Sequence, residues 1–253
     1  MLDWKKYKAG IYRGKTESIR GVREVDPISL NDLIGIDRQK QTLLENTRSF
    51  LFGKSYNHAL LWGARGMGKS ALIKSMLNEF ASDGLRLIEI SRDDLRDLPY
   101  IVDSIRELEY KFIIFCDDLS FEKGDDSYKG LKPILEGSIE IAPKNVVVYA
   151  SSNRRHLVSE INADNEGVHV SQREIHYSDA IEEKISLSDR FGLWISFYQG
   201  SFEDFLKIVD SYFKDFKGNT DELHKKAKEF ANMRSSRSGR CAKQFYNFYK
   251  DLS

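Results

Sequence analysis

Short apolar runs alternate with helical stretches through the middle of the chain. Each run has the length and the content of leucine, aromatic and β-branched residues that are typical of buried strands. Five runs fit this description: 58–62, 85–90, 112–116, 146–151 and 193–197. Helical spacing of apolar residues occurs at 39–52, 70–82 and 128–135. The alternation predicts an α/β fold with a parallel five-stranded sheet that is flanked by helices.

After the fifth run the pattern becomes entirely helical. Three segments have helical spacing: 201–216, 220–233 and 238–252. We therefore predict a small all-helical domain over 200–253, which follows an α/β domain over 31–199. Residues 1–30 are polar with scattered aromatic side chains, and we predict an N-terminal extension there, to which the pattern assigns no regular element.

Composition and charge narrow the classes of protein. The 253 residues are 41% hydrophobic, which is enough to bury a core. The 39 basic and 39 acidic side chains cancel, so the whole chain lacks the net basic charge that is typical of nucleic-acid-binding domains. Residues 1–30 nevertheless carry seven basic and four acidic groups, and residues 217–253 carry nine and four. These basic ends are either ordinary solvated surface or contacts for a polyanion.

The cysteines and the absence of long apolar segments indicate the compartment. Cys116 and Cys241 form neither a metal-binding pattern nor a disulfide framework, which fits a reducing environment. The sequence begins without an apolar signal core, and no apolar run approaches the roughly 18 residues that a membrane span needs. We expect a cytoplasmic protein that has no membrane partner.

The first apolar run leads into a glycine-rich motif. The chain from Gly63 to Ser70 matches the pattern GxxxxGK followed by Ser or Thr, between a predicted strand and a predicted helix. In this setting backbone N–H groups and the helix N-terminus bind phosphates. We predict that Lys69 contacts the β and γ phosphates of ATP and that the Ser70 hydroxyl binds Mg²⁺. The predicted nucleotide-binding residues of this segment are Gly63, Ala64, Arg65, Gly66, Met67, Gly68, Lys69, Ser70 and Ala71.

Two carboxylates follow the third apolar run. Because ligands bind at the carboxyl ends of the strands in an α/β sheet, we predict that Asp117 binds Mg²⁺ and that Asp118 polarises the attacking water. Hydrolysing ATPases commonly have Glu at the second position, and Asp is one methylene shorter. A small misplacement of a catalytic group can lower a rate by about 10²-fold. Glu122 is therefore a second candidate for the base.

The fourth apolar run also ends in polar residues. Asn153 is predicted to lie beside the Asp117 strand and near the γ-phosphate, where its amide can orient the attacking water. A plain turn asparagine is the alternative. Arg154 and Arg155 follow, and they are either solvated or face a partner.

The residues just before the fifth run carry a family resemblance. Residues 186–192, which include Arg190, resemble the corresponding segment of AAA+ ATPases. In those proteins an arginine in this segment reaches the nucleotide of the neighbouring subunit. The resemblance implies a homo-oligomer in which Arg190 is catalytic. It also implies that Arg240, at the start of the last helix, is a catalytic residue that reaches the phosphates from a helical lid, with Arg237 as the alternative. Ile34 and Gly35 resemble the segment that brackets adenine.

The likeness extends to one uncharacterised bacterial AAA+ family, a domain of unknown function. The strings that carry it are 35–40, 62–65, 115–122, 152–157 and 187–193. The resemblance covers residues 30–250. In that family Asp-Asp also replaces Asp-Glu, so Asp118 is not peculiar to this chain. The family implies ATP binding, and it does not supply a substrate.

Together these features favour an oligomeric Mg²⁺-dependent ATPase that couples its nucleotide state, ATP or ADP, to the remodelling of an unknown protein or nucleic-acid client. One alternative is a nucleotide-dependent binding module that hydrolyses little, because Asp118 is short. Another is a nucleic-acid-associated protein similar to helicase loaders, which rests on fold analogy and the basic ends. A small-molecule P-loop kinase is disfavoured, because it needs neither Asn153, Arg190 nor a C-terminal helical domain.

Overall fold

Seven strands form one sheet within the residues that the computed structural model describes, which are 2–121, 125–137, 139–155, 157 and 186–250. They are β1 (Ala9–Arg13), β2 (Ser18–Gly21), β3 (Ala59–Gly63), β4 (Leu85–Ile90), β5 (Lys111–Cys116), β6 (Val146–Ser152) and β7 (Leu193–Phe197). Their order is β2-β1-β4-β5-β6-β3-β7. Neighbouring strands are parallel except for the antiparallel pair β1–β2. The prediction of a parallel sheet is confirmed, and the sheet has two more strands than expected.

The two additional strands lie in the N-terminal segment, to which the sequence pattern assigns no element. β1 pairs in parallel with β4, and β2 forms a hairpin with β1 at the outer edge of the sheet. β1 has five residues and β2 has four, and β2 buries none of its side chains fully. Because β1 takes part of its pairing from a strand more than 70 residues away, the local apolar pattern gives little sign of it.

Helices cover the two faces of the sheet and form the C-terminal region. In the described ranges the α-helices are α1 (Asp37–Leu51), α2 (Lys69–Phe80), α3 (Leu98–Ile105), α4 (Lys132–Glu136), α5 (Phe202–Tyr212), α6 (Thr220–Met233) and α7 (Gly239–Tyr249). Residues 186–189 are also helical. None of the helices in these ranges combines the length and the apolar character that a membrane span requires.

The helix predicted over 128–135 is broken in the structure. A 3-10 turn, Ser127–Gly130, precedes the short α4. Gly130 lies so close to the backbone of Leu95 that an added Cβ would be 1.9 Å from its carbonyl oxygen. Pro133 stands in the first turn of α4, where its missing N–H costs no helical hydrogen bond. This local backbone packing, rather than side-chain periodicity, sets the start of the helix.

The core of the α/β part has two layers, one on each face of the sheet. Because successive side chains of a strand point to opposite faces, Leu60 and Ile114 pack in the layer that includes α3 and α4. Leu61 and Ile113 pack in the other layer, with α1 and α2. Strands that are buried on both faces are apolar at nearly every position, which explains the continuous runs in the sequence.

The C-terminal helices α5, α6 and α7 share a separate core. Phe205 and Val209 of α5, Ala227 of α6, and Cys241 and Phe245 of α7 are buried in it. Polar N-caps start each helix: the side chains of Ser201, Asn219 and Ser238 accept backbone N–H groups of the first turn. This small helical core matches the all-helical region predicted from the spacing.

The carboxyl ends of β5, β6 and β3 lie side by side at one edge of the sheet. Cys116 of β5 is in register with Ala150 of β6, and Ser152 of β6 is in register with Trp62 of β3. The residues that follow these three strands therefore meet at this edge. β7 is the outermost strand on this side and leads directly into the helical region.

Candidate functional site

The glycine-rich segment forms a tight loop between β3 and α2. Gly66 and Gly68 have φ angles of 75° and 91°, in the left-handed region that glycine adopts without strain. Gly63 meets the neighbouring strand so closely that an added Cβ would lie 2.0 Å from the carbonyl oxygen of Phe197. That carbonyl accepts a hydrogen bond from the Ala64 N–H at 2.9 Å. The base of the loop is thus fixed to β7, and the N-terminus of α2 faces the loop.

The Lys69 ammonium lies inside the loop. Its Nζ donates to the carbonyl oxygens of Gly63 at 2.8 Å and Ala64 at 2.9 Å, and to Oδ1 of Asn153 at 3.1 Å. The residue is only 6% exposed, and burial lowers the pKa of Lys69 below its ordinary value. The nearby carboxylates act against this shift, and the cations of Arg240 and Arg65 add to it. The Lys69 ammonium therefore lies close to two carboxylates and two arginines.

The Asp117 carboxylate joins the ends of two strands to the start of α2. Its Oδ1 accepts hydrogen bonds from the Ser70 hydroxyl at 2.5 Å and from the Ser151 hydroxyl. The two side chains that were predicted to hold Mg²⁺, Ser70 and Asp117, are thus in direct contact. A hydroxyl and a carboxylate are hard oxygen donors of the kind that Mg²⁺ prefers, so this pair fits the metal.

Asp118 is held in an unusual backbone conformation. Its φ is 51°, which is uncommon for a residue other than glycine and often marks a functional position. Its N–H donates to the Ser151 hydroxyl at 3.0 Å, and its Oδ1 accepts from Nδ2 of Asn153. The Asn153 amide therefore bridges Lys69 and Asp118. The predicted water-polarising and water-orienting side chains are neighbours in the structure.

The N-terminus of α7 reaches the glycine-rich loop from the helical region. Ser238 caps α7 by accepting the Cys241 N–H at 3.2 Å, and its hydroxyl would be 2.8 Å from a Cβ added at Gly66. The Arg240 N–H donates to the Gly66 carbonyl at 3.4 Å. Arg237, the alternative to Arg240, instead lies over the Phe202 ring, 5.1 Å from its centroid.

These groups line one cavity of about 540 Å³ at the carboxyl edge of the sheet. The described lining consists of Asp26, Arg65, Gly66, Gly68, Lys69, Ser70, Ala71, Lys74, Asp117, Asp118, Ser151, Asn153 and Arg240. Ten of these thirteen residues are among those predicted from the sequence. We call this space the phosphate-loop cavity.

Three lining residues were missed by the sequence analysis. Ser151 has a signal, because it is a polar residue at the carboxyl end of the apolar strand β6, at the edge of the sheet where ligands bind. Lys74 lies one helical turn beyond Ser70 and could have been found by that spacing. Asp26 has no local signal. It is placed by Asn78, whose side-chain amide donates to the carbonyl oxygens of Asp26 at 2.7 Å and Ile28 at 2.8 Å.

Arg190 is not among the residues that line this cavity. Its Nε forms an ion pair with the Glu136 carboxylate at the end of α4, and its Nη1 donates to the Ser186 hydroxyl at 2.9 Å. The side chain is 25% exposed. Glu122, the second candidate for the base, lies outside the described residues.

The predicted adenine-bracketing residues lie beside the cavity. The side chains of Leu33 and Ile36 would be 3.8 and 3.6 Å from a Cβ added at Gly68. A Cβ added at Gly35 would be 3.7 Å from the Cβ of Asp204 in α5. Segment 33–36, which contains Ile34, thus lies between the phosphate loop and the helical region. Met67 packs against the core layer of α1 and α2.

A profile of the family described as "Protein of unknown function (DUF815)" matches residues 5–252. The chain belongs to this family. The match includes the N-terminal hairpin, the sheet, the phosphate-loop cavity and the three C-terminal helices, so the whole of the described fold is that of the DUF815 family.

This DUF815 chain is also similar to replication factor C large subunits. It is 24% identical over 177 residues to the replication factor C large subunit of Methanococcus maripaludis, which is 67% of this chain and 36% of that protein. It is 28% identical over 134 residues to the replication factor C large subunit of Staphylothermus marinus, 50% of this chain and 31% of that protein. The matched region spans only about a third of the length of these relatives.

Solved structures show the same fold. A variant of RuvB from Thermotoga maritima superposes with a TM-score of 0.52 at 15% identity, over 88% of this chain and 72% of the RuvB chain. The AAA domain of FIGL-1 in complex with ADP superposes with a TM-score of 0.59 at 17% identity, over 89% of this chain and 75% of that chain. The DUF815 chain therefore has the AAA+ fold.

Proposed function

We propose that this DUF815 chain is a Mg²⁺-dependent ATPase that couples ATP hydrolysis to movement of its helical region and to the remodelling of a client. The observation that carries the proposal is the convergence of Lys69, Asp117, Asp118, Asn153 and Arg240 on the phosphate-loop cavity. A chance glycine-rich turn would not gather a buried lysine, two carboxylates and an arginine of a separate helical region around the same loop.

Each side chain has a role that its contacts support. Lys69, Gly66 and Gly68 would bind the phosphates through the ammonium and the loop N–H groups. Ser70 and Asp117 would hold Mg²⁺, whose charge, when it is bound, offsets that of the β and γ phosphates. Asp118 would take up a proton from the attacking water. Its contact with Asn153 lies where that amide could orient the same water.

The contact between α7 and the loop supports coupling to the helical region. Because the Arg240 N–H donates to the Gly66 carbonyl, a change in the loop on phosphate binding would be felt directly by α7. The helices α5, α6 and α7 share one core, so they would move together as a lid. The client is a protein or a nucleic acid whose identity this contact does not specify.

In this proposal Arg190 acts on the nucleotide of a neighbouring subunit and not on that of its own subunit. Its ion pair with Glu136 holds it on its own chain, outside the phosphate-loop cavity. We infer a homo-oligomer in which Arg190 of one subunit neutralises charge on the γ-phosphoryl group of the next.

A nucleotide-dependent binding module is the second candidate, and one observation favours it. The short Asp118 carboxylate already accepts a hydrogen bond from Asn153, which fixes it close to β6. If this bond persists with ATP bound, Asp118 would polarise water poorly and the chain would bind ATP without turning it over.

ATP titration and turnover of a few variants test the proposal. Lys69→Ala should weaken MgATP binding by about 100-fold or more, because it removes a charge-assisted contact to the β and γ phosphates. The exposed Lys54→Ala serves as the matched control and should bind normally. Equal affinities of the Lys69 and Lys54 variants would refute the site.

Turnover separates the two candidates. For an ATPase, Asp118→Asn should bind MgATP normally and lose about 10²-fold in turnover, whereas Glu122→Gln should keep its rate. Loss in the Glu122 variant alone would reverse the assignment of the base. A wild type that binds MgATP but turns it over no faster than Lys69→Ala would establish the binding module instead.

A further inference from the structure

A second cavity of about 670 Å³ opens next to the phosphate loop, on the side away from Asp117. The described residues that line it are Trp62, Gly63, Ala64, Asn153, Arg154, Arg155, Phe197, Tyr198 and Gln199. They come from the carboxyl ends of β3, β6 and β7. The proposed ATPase chemistry uses Asn153 and the loop backbone, and it leaves the aromatic and arginine side chains of this second cavity unexplained.

An aromatic pair forms one wall of the second cavity. The rings of Trp62 and Tyr198 meet edge to face, with centroids 5.8 Å apart and planes at 83°. Tyr198 is 68% exposed, so its ring surface is open to solvent. A half-buried indole and an exposed phenol at the same cavity provide ring surface on which another planar group can stack.

The cationic side of the cavity is next to these rings. The Arg155 guanidinium lies 5.5 Å from the centroid of the Trp62 ring, and the Arg155 side chain is exposed. Arg154 also lines the cavity. The exposed Arg155 supplies positive charge, and the described lining contains no carboxylate, so the cavity favours an anionic ligand.

We infer that the second cavity binds single-stranded nucleic acid, with a base stacked against Trp62 and Tyr198 and a backbone phosphate at Arg155. Aromatic rings that stack on bases, combined with cations that contact the backbone, are the means by which proteins bind single strands without reading their sequence. A cavity of this volume can hold one base of a single strand that is turned away from its neighbours. The bases of a duplex are stacked inside the double helix and are not available for such binding.

The cavity is placed to sense the nucleotide. The Ala64 N–H donates to the Phe197 carbonyl at 2.9 Å, so the wall of the cavity is hydrogen-bonded to the phosphate loop. On the other side, Nε2 of Gln199 donates to the Ser235 carbonyl at 3.3 Å, in the turn between α6 and α7. An occupant would therefore touch both the loop and the connection to the helical region. This inference deepens the proposed function by naming the client class, and it depends on that function only for this coupling.

Fluorescence anisotropy with a labelled oligothymidylate of about 12 nucleotides tests the site. The full chain is titrated in the presence of Mg²⁺ and ADP, so that the phosphate-loop cavity is occupied and the oligonucleotide phosphates do not bind there. Tyr198→Ala should weaken binding about tenfold, because one base loses its stacking partner. Arg155→Ala should weaken binding and lower the slope of log affinity against log salt by about 0.7, the value for one phosphate contact on a single strand.

Matched controls keep the result interpretable. Tyr100→Ala removes a tyrosine that is 75% exposed on α3, and Arg23→Ala removes an exposed arginine of the basic N-terminal segment. Both should bind the oligonucleotide as the wild type does. If Arg23→Ala loses as much affinity as Arg155→Ala, the oligonucleotide binds along the basic N-terminal segment and the inference is wrong.

Tryptophan fluorescence gives a readout that does not depend on a loss of affinity. Stacking on Trp62 should quench the intrinsic emission when the oligonucleotide binds, and Trp62→Phe, which keeps Trp4 and Trp194, should abolish most of that quenching. Unchanged quenching in Trp62→Phe would overturn the inference. So would equal competition by a polyglutamate peptide, which would identify an acidic protein segment as the occupant.

The outcome is separable from that of the ATPase proposal. Lys69→Ala should retain oligonucleotide binding even though it loses MgATP, and Tyr198→Ala should retain MgATP binding. A chain that binds MgATP and ignores the oligonucleotide under all these conditions contradicts this inference alone.

Discussion

Arg240 and Arg190 are both expected to act on the phosphates of ATP, but they lie in different surroundings. Arg240 begins α7, and its backbone N–H contacts the phosphate loop at Gly66. Arg190 follows a short helical segment just before β7, the outermost strand, and is paired with Glu136 of α4. The first lies in the phosphate-loop cavity of its own chain, and the second is not part of its described lining.

The difference indicates how each arginine could act. Arg240 is carried by α7 of the helical region, so we expect it to link that region to the nucleotide within one subunit. Arg190 is held on its own chain by Glu136 and Ser186, neither of which is among the described lining of the phosphate-loop cavity, so we expect it to act on a nucleotide in another subunit. Removing each arginine should therefore have different consequences for binding, for turnover and for mixing of variants.

The largest expected effect is that of Arg190→Ala. Turnover should fall by about 10³-fold or more, because an arginine finger acts mainly on charge that develops in the transition state. MgATP affinity should stay within about twofold, since Lys69 and the loop N–H groups remain. Steady-state turnover and ATP titration check this, with the exposed Arg48→Ala of α1 as the control. A parallel loss of affinity would place Arg190 at the nucleotide of its own subunit.

Arg240→Ala should have an intermediate effect of a different kind. Loss of one charge-assisted contact to phosphate should weaken MgATP binding about tenfold, with a matching change in turnover at low ATP. Arg237→Ala is the neighbouring control, because that guanidinium lies over Phe202 instead. If Arg237→Ala weakens ATP binding and Arg240→Ala does not, the two arginines exchange roles.

The smallest expected effect belongs to Glu136→Gln, which removes the carboxylate that holds Arg190. Exposed and half-exposed ion pairs contribute about 1 kcal/mol or less, so turnover should rise by no more than about fivefold as Arg190 becomes free to reach a neighbour. The measurement is turnover at a fixed protein concentration. A clear fall would mean that Glu136 positions Arg190 for catalysis.

The local pattern of apolar and polar residues predicts much of the candidate site, but it does not predict two of the seven described strands. Lys69, Asp117 and Asn153 could be predicted because each follows an apolar strand, and parallel strands bring such ends to one edge. β1 could not, because part of its pairing comes from the distant β4, and β2 pairs with β1 at the edge of the sheet, where it buries none of its side chains fully. Asp26 reaches the cavity only through hydrogen bonds to Asn78, between residues that are 52 positions apart.

The contrast between Arg154–Arg155 and Arg190 shows a second limit. All three arginines lie near an end of a strand in the sequence. The side chains around each arginine then determine which ligand it can contact. Arg155 lies over Trp62 in the second cavity, whereas Arg190 is turned toward Glu136. Side-chain partners from separate elements make this difference, and no spacing within either segment encodes them.

Mixing two inactive variants tests the central claim most directly. A Lys69→Ala subunit lacks the phosphate contact and still carries Arg190, while an Arg190→Ala subunit still binds MgATP. If Arg190 acts on the neighbouring subunit, the mixture should recover measurable ATP turnover that neither variant has alone, at a protein concentration where size-exclusion chromatography shows co-assembly. A mixture that remains inactive while the two variants co-assemble would contradict the account.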